Sequence, residues 1–299
     1  MIKISGVSKF YDEFRSLDGI NAEIKDGSIF GLVGSNGSGK STLMRVMSGI
    51  FRADGGEVLY DGENVYENVA LKNRIVYLSD DQYFLPSSTI NDMAKMYASV
   101  YSEFSFDEYK KLLGIFGLDG TRKINTFSKG MQKQTAILLG LSAKPKYLLC
   151  DETFDGLDPV MRQLVKRILA EAVAENGLTA IIASHNLREL EDICDHIGLL
   201  HKGGILFESE IDSLKENIHT VQAVFSREIT TDEIAKMGTV SIKQRGSMVT
   251  AVVRGSESEV REKVDALAPE FYEIIPLTLE EIFISEMEER GYDYTKVVF

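Results

Sequence analysis

A chain of 299 residues with 44% hydrophobic content has room for one large domain or two smaller ones, and the composition of an ordinary globular protein. Its net charge of −13 speaks against a broad nucleic-acid or anionic-lipid surface, so no nucleic acid is expected as a partner. No apolar run reaches the about 18 residues of a membrane-crossing helix, Met1 to Gly6 lack the regions of a signal peptide, and Cys150 and Cys194 read as buried thiols suited to a reducing cytoplasm.

The opening stretch, up to Lys25, alternates apolar and polar positions, with turns expected at Gly6 and Gly19, the pattern of a half-exposed antiparallel sheet. Ile29, Phe30, Leu32 and Val33 make a short apolar strand, and Thr42 to Met47 the helix after it. Between them, residues 34–41 read Gly-Ser-Asn-Gly-Ser-Gly-Lys-Ser and fit the phosphate-loop pattern G-x-x-x-x-G-K-[ST]. Gly34, Gly37 and Gly39 let the backbone through Ser35, Asn36 and Ser38 curl its N–H groups toward phosphate oxygens. The helix N-terminus at Ser41 and Thr42 adds partial positive charge. Lys40 would reach the β- and γ-phosphates of a nucleotide, and Ser41 would ligate Mg²⁺.

Asp54-Gly55-Gly56 and Asp61-Gly62 mark tight turns around the strand Glu57 to Tyr60, and Arg74 to Leu78 is another strand. From about Ser87 to Leu141 the spacing is helical, with Met93, Met96, Tyr97 and Val100 on one stripe and Leu112, Leu113, Ile115 and Phe116 on another that ends at Gly117. Strand character returns at Tyr147 to Cys150. A helix starts at Pro159 behind the N-cap Asp158 and closes at Gly177. Thr179 to Ala183 is wholly apolar, as in a parallel sheet covered on both faces. Leu187 to Cys194 is helical, and a hairpin turns at Gly203-Gly204. A boundary is expected near His219, giving domains 1–219 and 220–299. The second reads βαββαβ plus a final helix over 278–290, a small ferredoxin-like α+β unit.

Four further pieces carry chemistry. Tyr147 to Cys150 ends in Asp151-Glu152. An Asp at a strand end can hold Mg²⁺, and a Glu directly after it can polarise water for in-line attack on a γ-phosphate. Asp155 to Pro159 follows, where Asp158 serves at least as a helix cap. His185 follows an apolar strand, where it could bond a γ-phosphate or be merely structural. Ser128, Lys129 and Gly130 open a helix whose N–H groups could bind phosphate, or which Ser128 simply caps.

In this order and spacing, residues 1 to about 210 closely resemble the ATP-binding subunit of ABC transporters. The resemblance implies a P-loop NTPase with a RecA-like core, an antiparallel β subdomain and a helical subdomain over about 87–143. It implies that residues 34–41 are the Walker A loop, Asp151 the Walker B carboxylate, Glu152 the catalytic Glu, His185 the switch His, and Asp158 part of the D-loop. Tyr11 falls where the family stacks an aromatic on adenine; it is otherwise a strand-end surface aromatic. Ser128 and Gly130 keep the phosphate-facing positions of the signature, which here reads Phe-Ser-Lys-Gly-Met, a form similar to the antibiotic- and drug-exporter branch. Lys129 adds a charge that could approach the nucleotide. Aligning from Ile75 to Leu78 puts Asp80 where the family has a Mg²⁺-binding Gln, with Gln82 two residues on. The implied protein hydrolyses ATP with Mg²⁺, as a homodimer or heterodimer that sandwiches two nucleotides. It docks on separate transmembrane permease subunits at the inner face of the cell membrane. The alternatives are a soluble ABC-type ATPase and a nucleotide-dependent regulator.

Overall fold

The computed structural model describes residues 1–227 and 229–289 of the chain. It divides into two compact units, Met1–Glu208 and a second beginning at Ser209. In chain order the first part runs β1 (Ile2–Tyr11), β2 (Phe14–Ile24), β3 (Ile29–Val33), α1 (Lys40–Met47), β4 (Gly55–Tyr60), β5 (Glu63–Asn64), α2 (Val69–Lys72), β6 (Ile75–Leu78), α3 (Ile90–Val100), α4 (Phe106–Phe116), α5 (Lys129–Ser142), β7 (Tyr147–Asp151), α6 (Pro159–Asn176), β8 (Thr179–Ser184), α7 (Leu187–Glu191), β9 (His196–His201) and β10 (Gly204–Glu210).

Two sheets result, ordered β2-β1-β4-β5 and β10-β9-β3-β8-β7-β6. In the second, β3, β7 and β8 are buried along their whole length, and their neighbours pair in parallel. Such strands are apolar throughout because both sheet faces are covered. Pairing of Val33 with Ser184 and of Asp151 with Ala183 brings the carboxyl ends of three strands to one edge, where ligands of open α/β sheets collect. The two sheets share a core in which Ile2, Leu17 and Tyr60 meet Leu32, Met44 and Tyr147. Both cysteines are free and buried, and burial pushes the Cys150 thiol up to about 12.

The helical segment matches its sequence pattern, and local caps mark several of its helix ends. Thr89 and Asp92 form a capping box on α3, Ser105 caps α4, and left-handed Gly117 closes it. Other details differ from the sequence expectation. Gly6 and Gly19 sit at register shifts inside the β1–β2 ladder, so they are bulges, and the turn is made at Asp12 instead. Gly55 and Gly56 belong to β4 rather than to a turn. A Cβ on Gly56 would lie 2.3 Å from the Ser5 carbonyl oxygen, so the close approach of β1 demands glycine.

One polar knot ties the sheets. The Asp61 carboxylate accepts from Lys146 Nζ at 2.7 Å and Tyr147 Oη at 3.0 Å. Burial raises its carboxyl, but hydrogen bonds from Lys146, the N-terminal ammonium and Tyr147 outweigh that and hold it well below the usual range. A depressed carboxylate stabilises fully above its unfolded value, about 4, and that contribution is lost as pH falls through the folded value. Asp61→Asn should therefore lower the urea midpoint at pH 7, with the gap to the parent closing progressively below about pH 4. Equal midpoints at pH 7 would refute this.

The second unit comprises α8 (Ile211–Glu216), β11 (Ile218–Val224), α9 (Thr231–Ala235), β12 (Thr239–Arg245), β13 (Met248–Arg254), α10 (Glu257–Asp265), β14 (Phe271–Pro276) and α11 (Leu279–Glu289). Its sheet is antiparallel in the order β12-β13-β11-β14. Alternate residues Val221, Ala223, Val249, Ala251 and Val253 face Ile234, Val260 and Val264 in one core. The division at Ser209 precedes the boundary expected near His219. The reason is α8, which ends in a small cluster where Leu214 packs with Ile218, Leu277 and Ile282. Residues 290–299 of the expected C-terminal unit lie outside the described residues.

Candidate nucleotide site

The loop 34–39 leaves the end of β3 and turns into α1 at Gly39. Its φ of 110° and an added Cβ's 2.7 Å approach to the Ser16 carbonyl exclude any side chain there. No side chain caps α1, so its first N–H groups are not occupied by a cap. Lys40 is 5% exposed. Its ammonium donates to the Gly34 carbonyl at 2.7 Å and lies 3.2 Å from Glu152 Oε1. Ser35 accepts a longer bond from the same ammonium at 3.4 Å, and Ser38 donates its N–H back to the Ser35 carbonyl at 3.1 Å. Thr42 accepts from Ser16 Oγ at 3.0 Å, which pins α1 to β2.

Asp151 and Glu152 sit at the carboxyl end of β7. Ser41 Oγ donates to Asp151 Oδ1 at 3.1 Å, and Tyr77 Oη donates to Oδ2 at 3.0 Å. Burial pushes the Asp151 carboxyl up, opposed by these two hydrogen bonds. Glu152 takes a left-handed backbone, φ 48°, a conformation a non-glycine residue keeps only when its surroundings hold it. Its N–H donates to the Ala183 carbonyl at 2.9 Å, and its Oε2 lies 3.0 Å from His185 Nδ1. Glu152 is thus held between the loop lysine and the histidine at the end of β8. Asp155 stands close by, its ligand atom within 4.8 Å of those of Glu152 and His185.

A cleft of about 470 Å³ opens beside these groups, lined by Tyr11, Phe14, Ser16, Asn36, Gly37, Gly39, Lys40, Ser41, Thr42, Arg45, Asp80 and Glu152. The Tyr11 and Phe51 rings are roughly perpendicular with centroids 6.2 Å apart, and Tyr11 is 41% exposed at the cleft. Ser128, Lys129, Gly130 and Asp158 do not line this cleft. Ser128 caps α5 by accepting from the Met131 N–H, and Asp158 caps α6 by accepting from Val160 and Met161. Gly130 packs against the Gly156 carbonyl, where a Cβ would come within 2.9 Å. Asp80 reaches the cleft but pairs with Lys133 Nζ at 3.1 Å. Gln82 turns its amide onto the Ser79 carbonyl and does not line the cleft, so the structure does not bring it to the other metal candidates.

Five residues of the site escaped the sequence reading, among them Ser16, a polar position in β2. Tyr77 had no signal beyond its place in a strand, and Arg45 none beyond its place in α1. Phe14 is an exposed aromatic at a hairpin tip. Lys133 carried the clearest mark, a cation among the apolar positions of α5.

Residues 17–155 match the family model described as ABC transporter. The ABC transporter ATP-binding protein YtrB of Bacillus subtilis is 30% identical over 286 residues, spanning 96% of this chain and 98% of that protein. The bacitracin transport ATP-binding protein BcrA of Bacillus licheniformis is 31% identical over 72% of each chain. Among solved structures, an ATP-binding subunit of an ABC transporter superposes with a TM-score of 0.67 at 23% identity, covering 72% of this chain and 92% of that one. A dimeric post-hydrolysis ATP-binding cassette with ADP and Pi superposes at 0.65 with 22% identity, over 71% and 99%. These two are likenesses of fold.

Proposed function

Since the chain belongs to the ABC transporter ATP-binding proteins and is an ATP-hydrolysing transporter subunit, we propose that it powers an exporter by closing over ATP as one half of a dimer. The observation that carries the chemistry is the contact series Lys40–Glu152–His185, at 3.2 and 3.0 Å, beside an open phosphate loop. Lys40 and the N–H groups of residues 34–42 hold the β- and γ-phosphates. Tyr11 stacks on the adenine, and Phe14 offers a second aromatic face in the same cleft. Glu152 takes the proton of the attacking water. His185, 3.0 Å from that carboxylate, orients it and bonds the γ-phosphate.

Ser41 Oγ and the Asp151 carboxylate, 3.1 Å apart, are a hard-oxygen donor pair that fits Mg²⁺. The ion would neutralise charge developing on the transferred phosphoryl group. Asp80 stands at the cleft with its charge shared by Lys133, so it fits a water-mediated role better than direct ligation.

Ser128, Lys129, Gly130 and Asp158 are supplied to the nucleotide of a second copy. This accounts for an exposed signature away from its own cleft. The partners are therefore a second ATP-binding subunit and separate transmembrane subunits at the inner face of the membrane; no described helix is long and apolar enough to cross one. Export is favoured because relatives are named for bacitracin and lantibiotic transport. The second unit, with its βαββαβ order and central β13-β11 pair, is a ferredoxin-like accessory domain.

The test is capture from native membranes with the Glu152→Gln chain as bait, in ATP and Mg²⁺. Recovery of a polytopic membrane protein is expected. Recovery of soluble partners alone, with the bait dimeric and ATP-bound, would favour a soluble ABC-type ATPase.

A further inference from the structure

Lys133 lies five residues into α5, the helix that Ser128 opens, and is 8% exposed. A buried ammonium persists only with partners. It has two. Nζ donates to the main-chain carbonyl of Glu152 at 2.7 Å and to Asp80 Oδ1 at 3.1 Å. The first partner is the main-chain oxygen of Glu152, whose backbone is left-handed. That residue is otherwise tied by its own N–H to the Ala183 carbonyl, by the longer 3.3 Å bond its carbonyl accepts from the Asp155 N–H, and through its side chain to Lys40 and His185. The second partner stands at the mouth of the nucleotide cleft beside Lys40 and Ser41.

We propose that Lys133 is a positioning residue for hydrolysis. It clamps the Glu152 carbonyl and, through Asp80, ties the 79–82 loop to the peptide that carries the base. The inference rests on Glu152 as base. It assigns Asp80 a different task from metal ligation: its carboxylate is one end of an ion pair whose other end is fixed to the Glu152 backbone. Because Lys133 rides on the same helix as the signature, a shift of α5 moves the loop and the base together.

The experiment uses the full-length chain with ATP and Mg²⁺. It compares the parent, Lys133→Met, Lys133→Arg, Asp80→Asn and Glu152→Gln by steady-state hydrolysis, nucleotide affinity and hydrogen exchange of the peptide containing residues 79–82. Lys133→Met should lower kcat about 10- to 100-fold with KM within about twofold, because misplacement of a reacting group costs turnover rather than binding. Lys133→Arg should recover most of that loss, since a guanidinium can reach both oxygens. Asp80→Asn should speed exchange of the loop as much as Lys133→Met does, with a smaller loss of kcat because the carbonyl contact remains. Parental kcat in Lys133→Met beside an inactive Glu152→Gln overturns the proposal alone. Parental hydrolysis by Glu152→Gln removes the base reading and the proposal with it. A fall in thermal stability with kcat per folded molecule unchanged assigns Lys133 a merely structural role and also overturns the proposal. If Lys133→Met does not fold, Lys133→Gln, which keeps an N–H donor group without the charge, takes its place under the same criteria.

Discussion

Glu152→Gln should bind ATP at least as tightly as the parent and hydrolyse it about 10²–10⁴-fold more slowly, the range a positioned general base contributes. The amide keeps the shape of the side chain and can still bond His185, but it cannot accept the proton of the attacking water. It also removes the carboxylate that sits 3.2 Å from Lys40, leaving that ammonium the neutral Gly34 carbonyl at 2.7 Å and the Ser35 carbonyl at 3.4 Å. A phosphate then competes for Lys40 against uncharged acceptors only, so affinity is expected to hold or rise. Single-turnover hydrolysis with a separate binding titration distinguishes the two effects. Parental single-turnover rates would place the base elsewhere, with Asp155 a neighbouring carboxylate.

Lys40→Ala should act on the other step. It deletes a charge-assisted contact to the β- and γ-phosphates and should weaken ATP binding by about 10²- to 10³-fold, equivalent to about 3–4 kcal/mol. A second loss lies in the protein itself. The Glu152 side chain is 12% exposed, and without Lys40 it keeps the His185 imidazole as a close partner beside the Asp155 carboxylate. A carboxylate left so nearly buried is costly. The variant should therefore unfold at lower urea as well, by about 1–3 kcal/mol. Binding measured with a fluorescent nucleotide and a urea titration check the two parts independently. An affinity within about threefold of the parent would mean that the backbone N–H groups and the helix N-terminus carry the phosphates without the lysine.

The two variants differ because of how the strands end. Lys40 opens the helix after β3, Glu152 follows β7 and His185 follows β8. The register of three adjacent parallel strands brings all three to one sheet edge. Motif spacing along the chain put each of them at the end of its strand or the start of its helix, as the structure has them, since a phosphate loop and two acidic residues at an apolar strand end are local features. So are the Asp158 and Ser128 caps, which depend on three or four consecutive residues. The βαββαβ pattern of the second unit was readable for the same reason: period-2 and period-3.6 apolar spacing needs no long-range information.

Residues 34–41 point to a phosphate site by themselves, because that motif's chemistry follows from neighbours in sequence, while 151–152, 128–130 and 185 gain their proposed roles only together, through their order and spacing along the chain. Tertiary structure alone decided which groups complete the site. Gly6 and Gly19 became bulges rather than turns because strand pairing with β2 and β4, not local propensity, sets where β1 bends. α8 joined the second unit because Leu214 found a cluster with residues more than sixty positions away. Lys133, which the sequence reading did not single out, meets Asp80 and the Glu152 carbonyl because α5 packs over the ends of β6 and β7. A buried ammonium takes whatever oxygens the packing offers, and that choice is written in the contacts between distant segments rather than in the order of residues along any one of them.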